Sequence, residues 1–153
     1  GVIGIVASRF NEDVTSRLLQ SCLRTLKAHR VPETALRVVR VPGAYEVPWA
    51  VQELALSGRF DVVVALGAIL RGSTPQNDHI SRSTIQSLHR ISLSTRVPVI
   101  LGIITPNTYR QAMERTRGSM DRGKEAALAA LQMAGLREDL RVQRPGGFSS
   151  GPP

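Results

Sequence analysis

Short apolar stretches alternate with segments of helical periodicity along this chain. The clearest apolar stretch is residues 61–70, in which one aspartate precedes nine apolar residues. It lacks the alternation of apolar and polar positions, which is typical of a strand buried on both faces. Residues 2–7 and 97–105 show the same pattern, whereas residues 36–42 alternate and predict a less enclosed strand.

Helices are predicted between these strands. After Asn11, apolar residues recur every three to four positions, so Asn11 is predicted to cap a helix that continues to about His29. Gly135 is predicted to cap the last helix at its carboxyl end. The other predicted helices, in chain order, cover about residues 47–57, 77–94 and 106–116, and the last covers about residues 121–134.

The alternation of strands and helices predicts an α/β fold, with a parallel four-stranded sheet between two helical layers and right-handed crossovers. A length of 153 residues fits one domain. We expect that domain to cover residues 1–136 and to be followed by a mobile Arg/Gly/Pro-rich tail over residues 137–153. No apolar run reaches the length of about 18 residues that a membrane span requires.

Charge and composition narrow the possible partners. The net charge is +8, but Lys27 and Lys124 are the only lysines, the arginines are dispersed, and aromatic residues make up 4% of the chain. Nucleic-acid binding is therefore not favoured, and a positive field suits small anionic substrates. Cys22 is the only cysteine and lies on an apolar helix face, which predicts a buried thiol rather than a nucleophile or metal ligand. Without a signal segment before the first strand, we expect a soluble cytoplasmic protein.

The segment after the third strand carries most of the candidate chemistry. In open α/β sheets, ligands bind outside the carboxyl ends of the strands, where residues 71–79 offer a glycine, hydroxyls, a guanidinium, an amide and a carboxylate. Gly72 permits close approach of a ligand, and the N–H groups of Ser73 and Thr74 could hold an anion such as phosphate. An ordinary strand-to-helix loop explains the same residues equally well. His79, within one turn of this loop, is a candidate catalyst, although surface histidines are commoner.

Two other strand ends carry candidate residues. Phe10 is either a hydrophobic staple for the following helix or a flat surface on which a ring substrate stacks. Glu46 either complements the dipole of its helix or binds the hydroxyls of a sugar or polyol. Because parallel strands end at the same edge, we expect Phe10, Glu46 and residues 71–76 to converge on one site.

Five motifs in this chain resemble those of the 6,7-dimethyl-8-ribityllumazine synthase family in order and spacing, over about residues 2–136. They are Arg-Phe-Asn at 9–11, Val-Pro-Gly-Ala-Tyr-Glu at 41–46, Leu-Gly-Ala-Ile-Leu-Arg-Gly-Ser-Thr at 66–74, Pro-Val-Ile-Leu-Gly-Ile-Ile-Thr at 98–105 and Gln-Ala-Met-Glu-Arg at 111–115. The resemblance implies a flavodoxin-like three-layer αβα sandwich. It also implies a transferase of riboflavin biosynthesis that needs no cofactor, forms homo-oligomers built from pentamers and has its active sites between neighbouring subunits.

The resemblance further implies the substrates and the residues that bind them. The substrates would be 5-amino-6-(D-ribitylamino)uracil and 3,4-dihydroxy-2-butanone 4-phosphate. Phe10 would stack on the pyrimidine, and Leu101 stands where an aromatic residue of the adjacent subunit is frequent. The other implied contacts are Ala44, Tyr45 and Glu46 for the uracil and ribityl hydroxyls, Ala68, Ile69 and Leu70 for the ring pocket, and Ser73, Thr74 and Arg115 for the phosphate.

The main departure from the family pattern is Gln76, which replaces the proton-transferring histidine. Glutamine does not titrate near neutral pH, so the acid–base contribution, typically about 10² to 10⁴ in rate, is expected to be reduced or lost. We favour a slow synthase in which His79 or ordered water moves the protons. The alternatives are a relative that only binds the ligands or forms a shell, and a flavodoxin-like FMN carrier, although Ser8–Asn11 would cradle a phosphate poorly.

Overall fold

The computed structural model is an all-parallel, four-stranded sheet of order β2-β1-β3-β4 with helices on both faces, as predicted. It describes residues 1–72 and 74–142, so Ser73 and the predicted tail beyond Val142 lie outside the described residues. The strands are β1 (Ile3–Ser8), β2 (Leu36–Val41), β3 (Val62–Ala68) and β4 (Val99–Ile104). The helices are α1 (Glu12–Ala28), α2 (Val47–Leu56), α3 (Pro75–Thr95), α4 (Tyr109–Glu114) and α5 (Arg122–Val142).

Strand position in the sheet explains the two kinds of apolar pattern. The central strands β1 and β3 are buried along their whole length, and each has a parallel neighbour on both sides. Strand β2 lies at an edge and is only partly buried, which confirms the prediction from its alternating sequence. None of the helices in the described ranges is both long and apolar enough to cross a membrane.

The two faces of the sheet are covered by different helices. Helices α2 and α3 pack on one face, where Val51 and Leu88 meet Val63 of β3. Helices α1 and α5 pack on the other face, where Cys22 meets Val64. Because successive strand residues point to opposite faces, β3 contributes to both cores and must be apolar throughout.

Close packing of α1 against α5 depends on Gly123. A Cβ atom built at this position would lie 2.4 Å from the carbonyl oxygen of Leu18 and 3.0 Å from Cβ of Ser21. These distances are below ordinary van der Waals contact, so a glycine is needed where the first turn of α5 crosses α1.

The prediction that the last helix ends at Gly135 is wrong. Helix α5 continues through Gly135 to Val142, so residues 137–142 are helical. Arg137 provides a physical reason, because its Nε donates to the carbonyl of Arg96 at 3.2 Å. Its Nη1 also lies 3.6 Å from Oδ1 of Asp61. These contacts link the last turns of α5 to the amino-terminal edge of the sheet, and a glycine with helical backbone does not interrupt them.

Candidate active site

The backbone around Phe10 is held at the carboxyl ends of β1 and β2. The N–H groups of Arg9 and Phe10 donate to carbonyls at the end of β2 at 2.8 and 2.9 Å. Arg40 donates from Nε and Nη2 to the last two carbonyls of β1, both at 3.2 Å. The Phe10 side chain nevertheless remains 70% exposed. It is therefore not a hydrophobic staple, and its ring presents a flat apolar surface on a fixed backbone.

Asn11 is the N-cap residue of α1, as predicted, but its side chain makes no capping hydrogen bond. Its backbone is in the left-handed region, with φ 59° and ψ 52°. Asparagine is one of the few residue types besides glycine that adopt this region readily. The side chain instead donates from Nδ2 to the carbonyl of Ala68 at 3.2 Å. Asn11 thereby links the start of α1 to the carboxyl end of β3.

A tight turn follows the end of β2. Residues Ala44–Glu46 form a single turn of 3-10 helix, and Oε1 of Glu46 accepts a hydrogen bond from the N–H of Gly43 at 2.9 Å. This contact closes the turn and leaves the Tyr45 side chain exposed. One carboxylate oxygen of Glu46 thus has a structural partner, and the other has no such contact among the described residues.

The first turn of α3 is linked back to the end of β3 by two side chains. Nδ2 of Asn77 donates to the carbonyl of Leu70 at 2.6 Å. Oδ1 of Asp78 accepts a hydrogen bond from Nε of Arg71 at 2.9 Å. Both side chains of the latter pair are about half exposed, so this ion pair contributes little to stability. The two contacts fix the distance between the loop and the helix that follows it.

Gly72 packs against protein backbone. A Cβ atom at this position would lie 2.6 Å from the carbonyl oxygen of Asn107. The N–H of Arg71 donates to the carbonyl of Pro106 at 2.9 Å, so the loop is joined to the segment after β4. The sequence predicts close approach of a ligand at this glycine, whereas the structure shows close approach of a neighbouring loop. Ser73 lies outside the described residues, and its role stays a prediction.

A cavity of about 470 Å³ lies between the carboxyl ends of β1, β2 and β3. The structure brings together most of the residues that the sequence assigns to the site. Those that line the cavity are Phe10, Ala44, Tyr45, Ala68, Ile69, Leu70, Thr74 and Gln76.

The polar groups of this cavity are hydroxyls and carboxamides. The carboxamides belong to Asn11, Gln76 and Asn77. Within residues 1–72 and 74–142, no aspartate, glutamate, histidine, lysine or arginine lines it. A cavity of this kind, with an exposed aromatic ring at its mouth, suits an uncharged heterocycle that both donates and accepts hydrogen bonds.

The other predicted site residues lie outside this cavity. Glu46 and His79 are exposed and do not line it. Leu101 and Arg115 line a second cavity of about 290 Å³ between β4 and α5, together with Arg122. Strand β4 is at the opposite edge of the sheet from β2, which explains the separation. Of the residues expected to converge on one site, Phe10, Thr74 and Gln76 line this cavity, whereas Glu46 does not and Arg71 lines a different one.

The sequence did not predict the hydrogen bond from Asn77 to the carbonyl of Leu70. For Asn11 it predicted helix capping, and not the hydrogen bond to the carbonyl of Ala68. Both are asparagines at the start of a helix that follows a strand, where capping is the usual interpretation. The sequence does not distinguish an asparagine that caps a helix from one that binds the backbone of the preceding strand, so it gives no signal for the contact of Asn77.

The thiol of Cys22 has a structural role in the core. Cys22 is buried, as predicted, and burial raises the pKa of its thiol to about 12, with the charge of Asp121 adding to the effect. The thiol is therefore protonated at neutral pH and is not a nucleophile. The described part of the chain contains no group of three or more His, Cys, Asp or Glu side chains that could hold a metal ion.

A parallel sheet of order 2-1-3-4 with helices on both faces and a cavity at its carboxyl edge defines a flavodoxin-like α/β protein. Comparison with known proteins gives a more specific result. The family model described as 6,7-dimethyl-8-ribityllumazine synthase matches residues 2–138. A 6,7-dimethyl-8-ribityllumazine synthase from Protochlamydia amoebophila (strain UWE25) is 41% identical over 143 residues, covering 93% of this chain and 83% of that relative. The chain belongs to the 6,7-dimethyl-8-ribityllumazine synthase family.

Proposed function

We propose that this protein condenses 5-amino-6-(D-ribitylamino)uracil with 3,4-dihydroxy-2-butanone 4-phosphate to form 6,7-dimethyl-8-ribityllumazine, a transferase step of riboflavin biosynthesis. The observation that carries the proposal is the uncharged cavity beside Phe10, in a chain of this family. Its carboxamides match the N–H and C=O groups of a pyrimidine ring. We place the activity in the cytoplasm, where the lone, reduced Cys22 fits the redox conditions.

The reaction depends on placement of two substrates. The amine of the uracil attacks the ketone, and loss of water gives an imine. Elimination then releases phosphate, and ring closure releases a second water. Holding both substrates side by side replaces an encounter in solution, which can supply much of the rate acceleration without an acid or base from the protein.

The ring substrate is assigned to the cavity. Phe10 stacks on the pyrimidine, and the backbone of Ala44–Glu46 holds the uracil and the ribityl chain. Residues Ala68–Leu70 form the opposite wall. The lining of the cavity by Phe10, Ala44, Tyr45 and Ala68–Leu70 supports the assignment. Glu46 follows Tyr45 outside the cavity, and among the described residues only one of its carboxylate oxygens has a hydrogen-bond partner.

The phosphate needs positive charge, because negative charge develops on it as it leaves. We assign Arg115 to this role, with the backbone of Ser73 and Thr74. Arg115 lies in the second cavity with Arg122 and Glu125, and because Arg122 and Glu125 pair at 3.4 Å, the net positive charge of the lining comes from Arg115. Since this cavity is separate within one chain, we infer that a neighbouring subunit supplies Arg115 and Leu101 to each Phe10 cavity.

Such sharing requires an oligomer, which we propose is built from pentamers. Phe10, Tyr45 and Trp49 expose large apolar surface at or near the first cavity, and Trp49 is 69% exposed. Leu101 is 52% exposed at the second cavity. Two different apolar surfaces on one chain favour a head-to-tail contact, and such contacts close into rings when the rotation permits.

The side chain at position 76 determines the turnover rate that we expect for the enzyme. Its carboxamide lines the cavity at the position of the usual histidine, whereas His79 is exposed and does not line it. We therefore assign Gln76 a hydrogen-bonding role and assign the proton transfers to ordered water. The result is a synthase that works by placement and electrostatics and is slow for its family.

The test is to mix the two substrates with the protein and follow lumazine formation against the uncatalysed reaction. We expect a rate above background, and Gln76→His should raise kcat by about tenfold or more because it restores a titrating group. His89→Gln, at an exposed position of the same helix, is the matched control and should have no effect. A wild-type rate equal to background would leave only a ligand-binding or shell-forming role. Loss of activity in His79→Gln would show that His79 moves the protons.

A further inference from the structure

Strand β3 extends beyond the end of its neighbour β1. The last residue pair between them is Ala7 with Leu66, after which the chain of β1 turns away into α1. On its other side, β3 and the loop after it keep their partners, because the N–H groups of Ile69 and Arg71 donate to the carbonyls of Ile104 and Pro106, both at 2.9 Å. Among residues 1–72 and 74–142, the wall of the cavity formed by Ala68–Leu70 is therefore hydrogen-bonded to a strand on one side only.

Main-chain groups of successive strand residues point alternately to the two neighbouring strands. Since Ile69 and Arg71 face β4, the carbonyls of Ala68 and Leu70 face the side that β1 has left. Each of these carbonyls accepts a hydrogen bond from a side-chain carboxamide. Asn11 donates to Ala68 at 3.2 Å, and Asn77 donates to Leu70 at 2.6 Å.

We propose that Asn11 and Asn77 are positioning residues for the ring substrate, because their carboxamides replace the missing strand and hold the wall formed by Ala68–Leu70. The inference rests on the proposed function, which assigns this wall to the ring pocket. The two asparagines come from different elements, the start of α1 and the first turn of α3. The wall is thus fixed relative to Phe10, which precedes Asn11, and relative to Gln76, which precedes Asn77.

The backbone conformation of Asn11 and the burial of Asn77 support this positioning role. Asn11 keeps a left-handed backbone at φ 59°, which asparagine adopts readily, and its side chain donates to Ala68 from this conformation. Asn77 is half-buried in the lining of the cavity and uses its amide nitrogen for the backbone rather than for solvent. Displacement of a substrate by about 1 Å can lower a reaction rate about 10²-fold, so small movements of this wall matter.

The test replaces Asn77 by leucine, which has a similar size but no donor, and uses Gln132→Leu, at an exposed carboxamide of α5, as the matched control. The first readout needs no ligand. In Asn77→Leu, the backbone amides of Ile69 and Arg71 should exchange their hydrogens about tenfold faster or more, because the segment that carries them is released on one side. The control should exchange at the wild-type rate.

The second readout is function. The affinity for 6,7-dimethyl-8-ribityllumazine, measured by fluorescence titration, should fall about 10- to 100-fold in Asn77→Leu, with KM for the uracil substrate raised and KM for the butanone phosphate unchanged. If Asn77 had a merely structural role, the ratio of KM for the uracil substrate to KM for the butanone phosphate would keep its wild-type value.

The outcomes separate this inference from the proposed function. Wild-type protein that neither binds the lumazine nor forms it would overturn the proposed function and, with it, the role of the asparagines. Wild-type binding combined with unchanged exchange or unchanged lumazine affinity in Asn77→Leu would overturn the inference alone. If Asn77→Leu does not fold, Asn77→Ser, which is smaller and polar, undergoes the same measurements.

Discussion

Several side chains that shape the Phe10 cavity bind main-chain atoms of another element. Arg40 binds the last two carbonyls of β1, Glu46 binds the N–H of Gly43, and Asn77 binds the carbonyl of Leu70. The sequence predicts which strand ends carry chemistry, because glycines, aromatics and polar residues are visible there. It does not predict these contacts, because a donor or acceptor in a sequence does not specify its partner.

A hydrogen bond between the side chains of Tyr109 and Asp13 links α4 to α1. The Tyr109 hydroxyl donates to Oδ2 of Asp13. This hydrogen bond is the largest cause of the lowered pKa of Asp13, whose ordinary value is 3.8, and of the raised pKa of Tyr109. A carboxyl pKa that is lowered in the folded state stabilises the fold above its unfolded pKa and loses this effect as pH falls through its folded value.

We therefore predict a pH-dependent effect of Tyr109→Phe. Near pH 7 the variant should be less stable than wild type, since the charged acceptor loses its donor. The difference should shrink as pH falls from about 4, where Asp13 of the unfolded chain takes up a proton, through the lower pKa of Asp13 in the folded state. Urea unfolding of both proteins at pH 7 and pH 3, at equal protein concentration, measures this. A difference of the same size at both pH values would show that the hydrogen bond does not control it.

At the scale of elements, the order and type of the strands and long helices follow from the sequence. Uninterrupted apolar runs predicted the buried strands, and their alternation with amphipathic segments predicted the parallel sheet. Helix ends were less predictable. Gly135 has the composition of a cap, yet the contacts of Arg137 with Arg96 and Asp61 extend α5 past it. Such ends depend on residues that are distant in the sequence.

The two glycines of α5 provide a matched prediction. Gly123→Ala should destabilise the protein by about 1 to 3 kcal/mol, because its Cβ would overlap the backbone of Leu18. Gly135→Ala should stabilise it by about 0.4 to 1 kcal/mol, because no atom of the described residues lies within 4 Å of the added Cβ and alanine loses less entropy on folding. Denaturant unfolding followed by circular dichroism measures both. Effects of the same sign would contradict the packing assigned to α1 and α5.

At the scale of the whole molecule, the order of the strands in the sheet separates the predicted site residues into two cavities. The cavity between β1, β2 and β3 contains Phe10 and Gln76, and β4 at the edge carries Leu101 beside Arg115. The sequence motifs predict these residues, and the family resemblance implies a site shared between subunits, but the motifs alone do not say at which edge of the sheet each residue lies. That position depends on the order of the strands, which places β4 at the edge opposite β2.

A mixing experiment tests whether the two cavities combine between subunits. Phe10→Ala and Arg115→Ala should each lose most synthase activity, and co-expression of the two should restore about a quarter of the wild-type value, since about one contact in four joins two intact half-sites in a head-to-tail ring. Light scattering on the same samples gives the size of the assembly. The double variant, co-expressed with Arg115→Ala, is the control and should stay inactive. No recovery in mixed oligomers would place the complete site within one subunit.

Attachment through main-chain atoms has an evolutionary consequence. Asn77 donates a hydrogen bond to the main-chain carbonyl of residue 70. Every amino acid has this carbonyl, so the hydrogen bond does not depend on the leucine side chain at this position. The half-buried Leu70 side chain lines the cavity and can be exchanged for a bulkier or smaller one while the backbone keeps its position. Natural drift or laboratory selection at this single codon could therefore retune which heterocycles the protein accepts, without new scaffolding mutations elsewhere.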